Sequence, residues 1–570
     1  MSLFDWAVLI GTLGFIVFYG MWKSRDVADV DDYVRGGNTL RWPTIGLSIM
    51  ATQASAITFL STPGQAYEDG MRFVQFYFGL PLAMVVISAV FVPVYLRLKV
   101  YTAYEYLEHR FDSRVRYLGA VLFLLQRGLA AGITIYAPSI ILSTILGWPL
   151  GPTIWGIGLL VIIYTVSGGT RAVSVTQKHQ MIVMLTGMFV AAIVVMLRLP
   201  DGISVPDAVR VAGALDRMNV VSFDLDFDNR YNFWSGIAGG FFLAMAYFGT
   251  DQSQVQRYLS GRSVAESRLG LLFNGMFKVP MQFTILFIGV MVFVFFLFVR
   301  PPVFFNAPAL ERVSATEHAP ELQALEARYD SEFAVQRDAA TAYVDALGSG
   351  REAEARAALR AAASSTTATR EQVRDLVGRA VPDAETRDAD YMFLSFVLSY
   401  IPHGLVGLLI AVILCAAMSS VSSELAALGS TSAIDLYDRI RYGAASREGR
   451  TADPRKDLLI NKGFTVLWGF IAIGFASSAS LFDNLIEAVN ILGSIFYGTI
   501  LGLFVVAMFL RHVSATPVLI GALIAQASVL FLFFATDLGF LWYNVVGCAI
   551  VVFVSLLLQP IVGKAPPARG

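Results

Sequence analysis

Residues 415–432 read CAAMSSVSSELAALGSTS. Six serines, Thr431 and Glu424 stand inside a long apolar run. Hydrocarbon offers hydroxyls no partner, so a polar stretch in such a run must face other helices rather than lipid. On a helix, Ala416, Ser419, Ser420 and Ser423 fall at i, i+3, i+4 and i+7, which is one stripe. Two explanations fit the stripe. Small residues let helices approach closely, with hydroxyls bonding back to the preceding turn. Alternatively, the hydroxyls serve a hard cation such as sodium, which takes several oxygens. A continuous helix has few free carbonyls to add to them, so the second explanation needs a broken helix nearby.

The rest of the chain sets the context. It has 570 residues, is 56% hydrophobic and 15% charged, with a mean hydropathy of +0.63. Soluble domains carry about a quarter charged residues. Long apolar runs recur throughout and are continuous rather than alternating, which predicts an all-α polytopic membrane protein. Thirteen spans are expected, at 4–22, 43–62, 75–97, 117–146, 152–167, 179–198, 232–250, 269–299, 396–430, 459–479, 483–510, 514–536 and 540–560. The N-terminal MSLFDWAVLIGTLGFIVFYGMW has no basic residue before its apolar stretch and no small-residue cleavage site, so it is expected to be a retained span. Net charge is −1, which gives no sign of a nucleic-acid partner. Cys415 and Cys548 lie in apolar runs and are expected to be buried thiols.

Lysine and arginine crowd alternate loops: Lys23 to Arg41, Arg97 to Arg116, Arg257 to Arg268 and Arg439 to Lys462. The positive-inside rule then places the N-terminus outside and the C-terminus in the cytoplasm of a cell-membrane protein. Residues 1–300 form a first transmembrane part and 393–570 the remaining transmembrane helices. Between them, 301–392 is charged and alanine-rich. It reads as an extracytoplasmic helical hairpin broken at Gly348-Ser349-Gly350, with Leu322, Leu325 and Phe333 at helical spacing. The hairpin is either a cap over an entrance or a tolerated insertion.

Other polar groups interrupt the spans. The second span, LSIMATQASAITFLSTPG, is small and polar from Met50 to Ala56. Unwinding there would free the Ala51 and Ala54 carbonyls toward the serine stripe, as in the discontinuous helices of secondary transporters. AYFGTDQSQVQRY, 246–258, closes the seventh span. It is either a polar boundary or an aromatic gate formed by Tyr247 and Phe248. Arg127 and Lys278 sit deep enough in their spans to be functional candidates, yet near enough to the inner end to snorkel out. Asp483 and Glu487 open the eleventh span one turn apart.

At this point the chain resembles the sodium:solute symporters. The resemblance is carried by RGGNTLRWPTIGLSIMATQASA, VYLRLKVYTAYEYLEHRFDSRVR, YTVSGGTRAVSVTQ, YFGTDQSQVQRY and LCAAMSSVSSELAALGSTSAIDLYDRI. EYLEHRF, IYAP and QSQVQRY are most similar to the iodide, monocarboxylate and multivitamin branch. The resemblance implies a LeuT-like core of two inverted five-helix repeats, spans two to six and seven to eleven. It implies sodium at Ala51, Ala54, Ala416, Ser419 and Ser420, and no cofactor beyond that coupling ion. Many relatives have aspartate where this chain has Gln177, so a second sodium site at Gln177, Ser422 and Ser423 is expected to be weakened. Sugar-contacting positions fall on Thr58, Tyr77 and Ala244, which disfavours a hexose, although Lys278 matches a sugar-contacting lysine. Gln53, Thr58, Tyr77, Arg127, Tyr247 and Lys278 are the substrate or gate candidates.

The expected function is sodium-coupled symport of a small polar solute, leaning to an organic or inorganic anion, within a lipid bilayer. A sodium/sugar symporter and a transporter-like sensor acting with a separate partner are the alternatives. The sensors among the relatives carry a kinase module after the last span, where this sequence has only IVGKAPPARG. An enzyme is not expected, because no HExxH motif or His-Cys-Asp cluster is present.

Overall fold

The computed structural model describes residues 2–23, 30–382, 384, 386, 388–443, 454–478 and 485–563. Asp483 lies outside them. The described residues are helical almost throughout, with one isolated bridge between Leu40 and Gly261 in place of any sheet.

The chain runs α1 (Leu3–Lys23), α2 (Trp42–Gln53), α3 (Ala56–Asp69), α4 (80–98), α5 (Ser113–Leu146) and α6 (Leu150–Leu197). It continues as α7 (235–249), α8 (Gln252–Leu259), α9 (Val264–Phe298), α10 (Ala319–Asp345), α11 (Glu352–Ala380) and α12 (Leu405–Thr431). The last four are α13 (Pro454–Ala476), α14 (Leu485–Phe509), α15 (Ala515–Ala535) and α16 (Leu541–Val562). Among the described residues, eleven stretches are long and apolar enough to cross a membrane, and one of them, 56–98, covers parts of two expected spans. Adding the short α7 and the half-helix α2 accounts for all thirteen expected spans. α6 is one run with a break at Gly169, whose φ of +57° is open to glycine and strained for other residues. Two spans therefore meet there.

Two boundaries differ from expectation and one break agrees with it. The seventh span does not end in a polar boundary; its chain breaks at 250–251 and continues as the buried helix α8. The ninth span begins at Leu405, after a turn holding Pro402 and Gly404 (φ +90°), and Ala389–Tyr400 is a separate helix. The second span is broken as expected, at Ala54-Ser55.

α12 is the centre of the bundle. Every residue from Cys415 to Asp435 is buried, and the helix packs on α1, α5, α6 and α13. That is why a helix rich in hydroxyls can lie in a membrane: none of them faces lipid. Asp5 of α1 accepts from the Gly404 and Gly407 amides at 2.5 and 3.3 Å and thereby caps the N-terminus of α12.

The region 301–392 forms the expected hairpin, α10 and α11, turning at Gly348 (φ +74°). Leu322 and Phe333 are buried within it and Leu325 is partly so. It is tied to the rest of the molecule. Arg374 bonds Glu68 and, at 3.0 Å, Asp388; Arg370 reaches the Tyr67 hydroxyl at 3.1 Å and Asp388 at 3.2 Å.

Candidate functional site

Both helix breaks face the middle of the bundle. At the first, Ala54 leaves helical geometry (φ −82°, ψ 80°) and Ser55 is extended. The Ser55 amide turns to the Gln53 carbonyl at 3.1 Å, leaving the Ala51 carbonyl that it would bond in a continuous helix. Ser419 Oγ of α12 donates to that carbonyl at 2.8 Å. At the next residue, Ser420 Oγ is buried with no hydrogen-bond partner among the described residues. Ala416 is fully buried one turn earlier on α12. The break and the serine stripe therefore meet, with Ala51 and Ser419 in direct contact.

The positions of the expected second site are differently arranged. Gln177 Nε2 donates to Thr52 Oγ1 at 3.1 Å, the Ser419 carbonyl at 2.9 Å and Ser423 Oγ at 2.6 Å. Its Oε1 accepts from Ser48 Oγ at 2.5 Å. Ser422 does not bond Gln177; its hydroxyl donates to the same Ser419 carbonyl at 3.0 Å. An amide nitrogen thus occupies the oxygens that a cation would require.

The second break is held by ionised groups. Asp251 is buried between α7 and α8. Its Oδ1 accepts from Ser253 N at 2.9 Å and Ser253 Oγ at 2.6 Å, capping α8. Its Oδ2 accepts from Arg127 Nε at 3.0 Å, from Arg127 Nη2 and from the Tyr497 hydroxyl at 3.0 Å. Arg127 Nη1 also donates to Glu424 Oε1 at 3.1 Å. The carbonyls exposed by the break are occupied too: Gly249 O accepts from Tyr95 at 2.8 Å and Thr250 O from Tyr104 at 3.0 Å.

Between the two breaks lies a cavity of about 90 Å³. Gln53, Thr58, Tyr77, Arg127 and Tyr247 line it, so five of the six substrate candidates converge. Ser420 lines it as well, so the candidate ion site opens on the cavity. Lys278 does not line it. Its ammonium is fully buried without a hydrogen-bond partner among the described residues, 5.7 Å from the Tyr77 ring centroid. Neither Arg127 nor Lys278 snorkels: they are 3% and 0% exposed. Sequence reasoning missed Glu424, Tyr497 and Asn490 as lining residues. Glu424 stood in view inside the serine run, and Asn490 is a polar residue within an apolar span.

Comparison with known proteins places this architecture. The profile described as "Sodium:solute symporter family" matches residues 33–323 and 370–525. The chain belongs to that family. The unmatched stretch 324–369 is most of the α10–α11 hairpin. Sodium-coupled monocarboxylate transporter 2 of Bos taurus is 32% identical over 47% of this chain and 43% of its own length. The sodium/iodide cotransporter of Homo sapiens is 33% identical over 47% of this chain and 41% of its own. The chain thus spans about two fifths of the length of these relatives. The sodium/sialic acid symporter NanT of Aliivibrio fischeri is 25% identical and aligns over 98% of this chain and 93% of its own. A solved structure of a Na+-coupled sialic acid symporter, substrate-bound and outward-open, has the same fold. It superposes at a TM-score of 0.75 with 23% identity, covering 99% of both chains.

Proposed function

We propose that this protein is a secondary active transporter that couples sodium entry to uptake of a small polar solute by alternating access. The observation that carries the proposal is the first helix break laid against the serine stripe, with Ser419 on the Ala51 carbonyl and Ser420 Oγ unpartnered. Neutral hydroxyl and carbonyl oxygens at a buried break suit a hard cation of single charge. Ala51, Ala54, Ala416, Ser419 and Ser420 are the proposed ligands, and the adjoining cavity is the proposed substrate site. The N-terminus lies outside and the C-terminus inside, from the distribution of lysine and arginine. The hairpin 301–392 is then extracytoplasmic. Similarity to carriers of monocarboxylates, iodide and sialic acid favours an anionic solute.

One sodium moves per cycle in this proposal, because the Gln177 amide fills the neighbouring oxygens. At about 100 mV, one inward charge contributes roughly 2.3 kcal/mol, besides its concentration gradient. The test is uptake into reconstituted vesicles. Uptake of an identified solute that needs an inward sodium gradient, and that sodium ionophores abolish, is expected. Uptake that persists unchanged in potassium buffer overturns the proposal.

A further inference from the structure

The cavity wall formed by α12 and α2 presents acceptors, not free cations. Arg127 is the positive group lining the cavity, and its N–H groups are directed at Asp251, Glu424 and Tyr497. One guanidinium thus serves two carboxyl groups and a phenol. Three acceptor oxygens on cavity-lining residues have no partner among the described residues: Glu424 Oε2, Ser420 Oγ and Gln53 Oε1. Glu424 is 5% exposed, and its neighbour Thr134 directs its own hydroxyl proton to the Ala130 carbonyl at 3.0 Å. Buried acceptors left unmatched cost free energy, and an ionised one costs most. Ile57, Phe76, Leu243 and Val489 form the apolar part of the wall.

We infer that the solute presents an N–H or O–H donor to Glu424 Oε2, so that the substrate is a small amino or hydroxy acid rather than a bare inorganic anion or an unsubstituted carboxylate. The inference rests on the sodium-symport proposal and adds the substrate class to it. Sodium beside Ser420 would meet the carboxylate, while Glu424 meets the donor. A spherical anion such as iodide has no donor to offer and would leave Glu424 Oε2 unmatched.

Three probes that differ at one position, propionate, lactate and alanine, together with iodide, test this, each added to the purified full chain with and without sodium. Ligand-induced thermal stabilisation is measured. Alanine or lactate is expected to stabilise the protein in sodium more than propionate and iodide do. Glu424→Gln keeps an acceptor for Arg127 and removes the charge. It is expected to raise the concentration of the active probe for half-maximal stabilisation at least about tenfold, while the stabilisation by sodium alone persists and reports a folded variant. Propionate or iodide acting as strongly as the others, or no probe acting, overturns the inference. So does a Glu424→Gln variant that loses its sodium response and keeps its probe affinity. Stabilisation by a donor-bearing probe that is independent of sodium instead leaves this inference standing and removes the sodium coupling beneath it.

Discussion

The two broken helices of the bundle solve one physical problem in opposite ways. Each exposes backbone carbonyls in the middle of an apolar structure, where unpaired polar groups are costly. At the second break the protein answers with its own side chains. Tyr95 and Tyr104 occupy the Gly249 and Thr250 carbonyls, and Asp251 is bound by Arg127 and Tyr497. At the first break the answer is incomplete: Ser419 meets Ala51, and Ser420 Oγ has no partner among the described residues. A break stitched by ionised groups is a structural hinge point. A break lined by neutral oxygens with one left over is suited to an ion.

The contrast is broken most severely at Asp251. Asp251→Ala leaves Arg127 with Glu424 and the Tyr497 hydroxyl as partners and removes the cap of α8. A loss of about 3–5 kcal/mol is expected, the usual cost of opening a buried pair, measured by unfolding in detergent. A variant as stable as the parent would show that the pair is not structural. Ser419→Ala and Ser420→Ala act on the other break. Each is expected to raise the sodium concentration for half-maximal uptake by about tenfold or more, roughly 1.4 kcal/mol, with smaller effects on folding. Unchanged sodium dependence in both would remove the ion from this position.

Gln177→Asp sharpens the boundary between the two proposed sodium positions. It replaces a donor by an acceptor among Thr52, Ser419 and Ser423. The expected outcome is a second coupled sodium, read from the reversal potential at known gradients. A ratio unchanged from the parent would show that the amide is not what blocks the site. The smallest effect is expected for Ser422→Ala. Its hydroxyl bonds only its own helix, so stability should change by under about 1 kcal/mol and sodium affinity not at all. A sodium defect in this variant would put Ser422 back among the ligands.

Much of this was legible from local pattern. Continuous apolar runs gave the spans, and the small polar patch Met50–Ala56 marked the first break without a proline to signal it. The second break was not legible. Hydrophobicity stops at Gly249, and QSQVQRY reads as a loop, because polar residues buried by distant partners look like polar residues in water. Gln252 is an example: it donates to the Tyr101 carbonyl and accepts from the Ala103 amide, some 150 positions earlier. The partners of Arg127 were hidden for the same reason. Depth along its own helix allowed an escape to the surface, whereas its partners Asp251 and Glu424 lie on α8's entry and α12. The ninth boundary was missed because apolarity continues through a turn made by Pro402 and Gly404.

The hydrogen bond from Ser419 to the Ala51 carbonyl has a consequence for timing. It draws one proposed ligand from each helix together. Admitting sodium between these two oxygens requires the Ser419 hydroxyl to swing its proton aside. Side-chain rotations of that kind take picoseconds to nanoseconds, whereas collective helix movements take microseconds to milliseconds. Ion loading is then fast on the scale of the cycle, and turnover is set by how quickly the helices on either side of α12 rearrange.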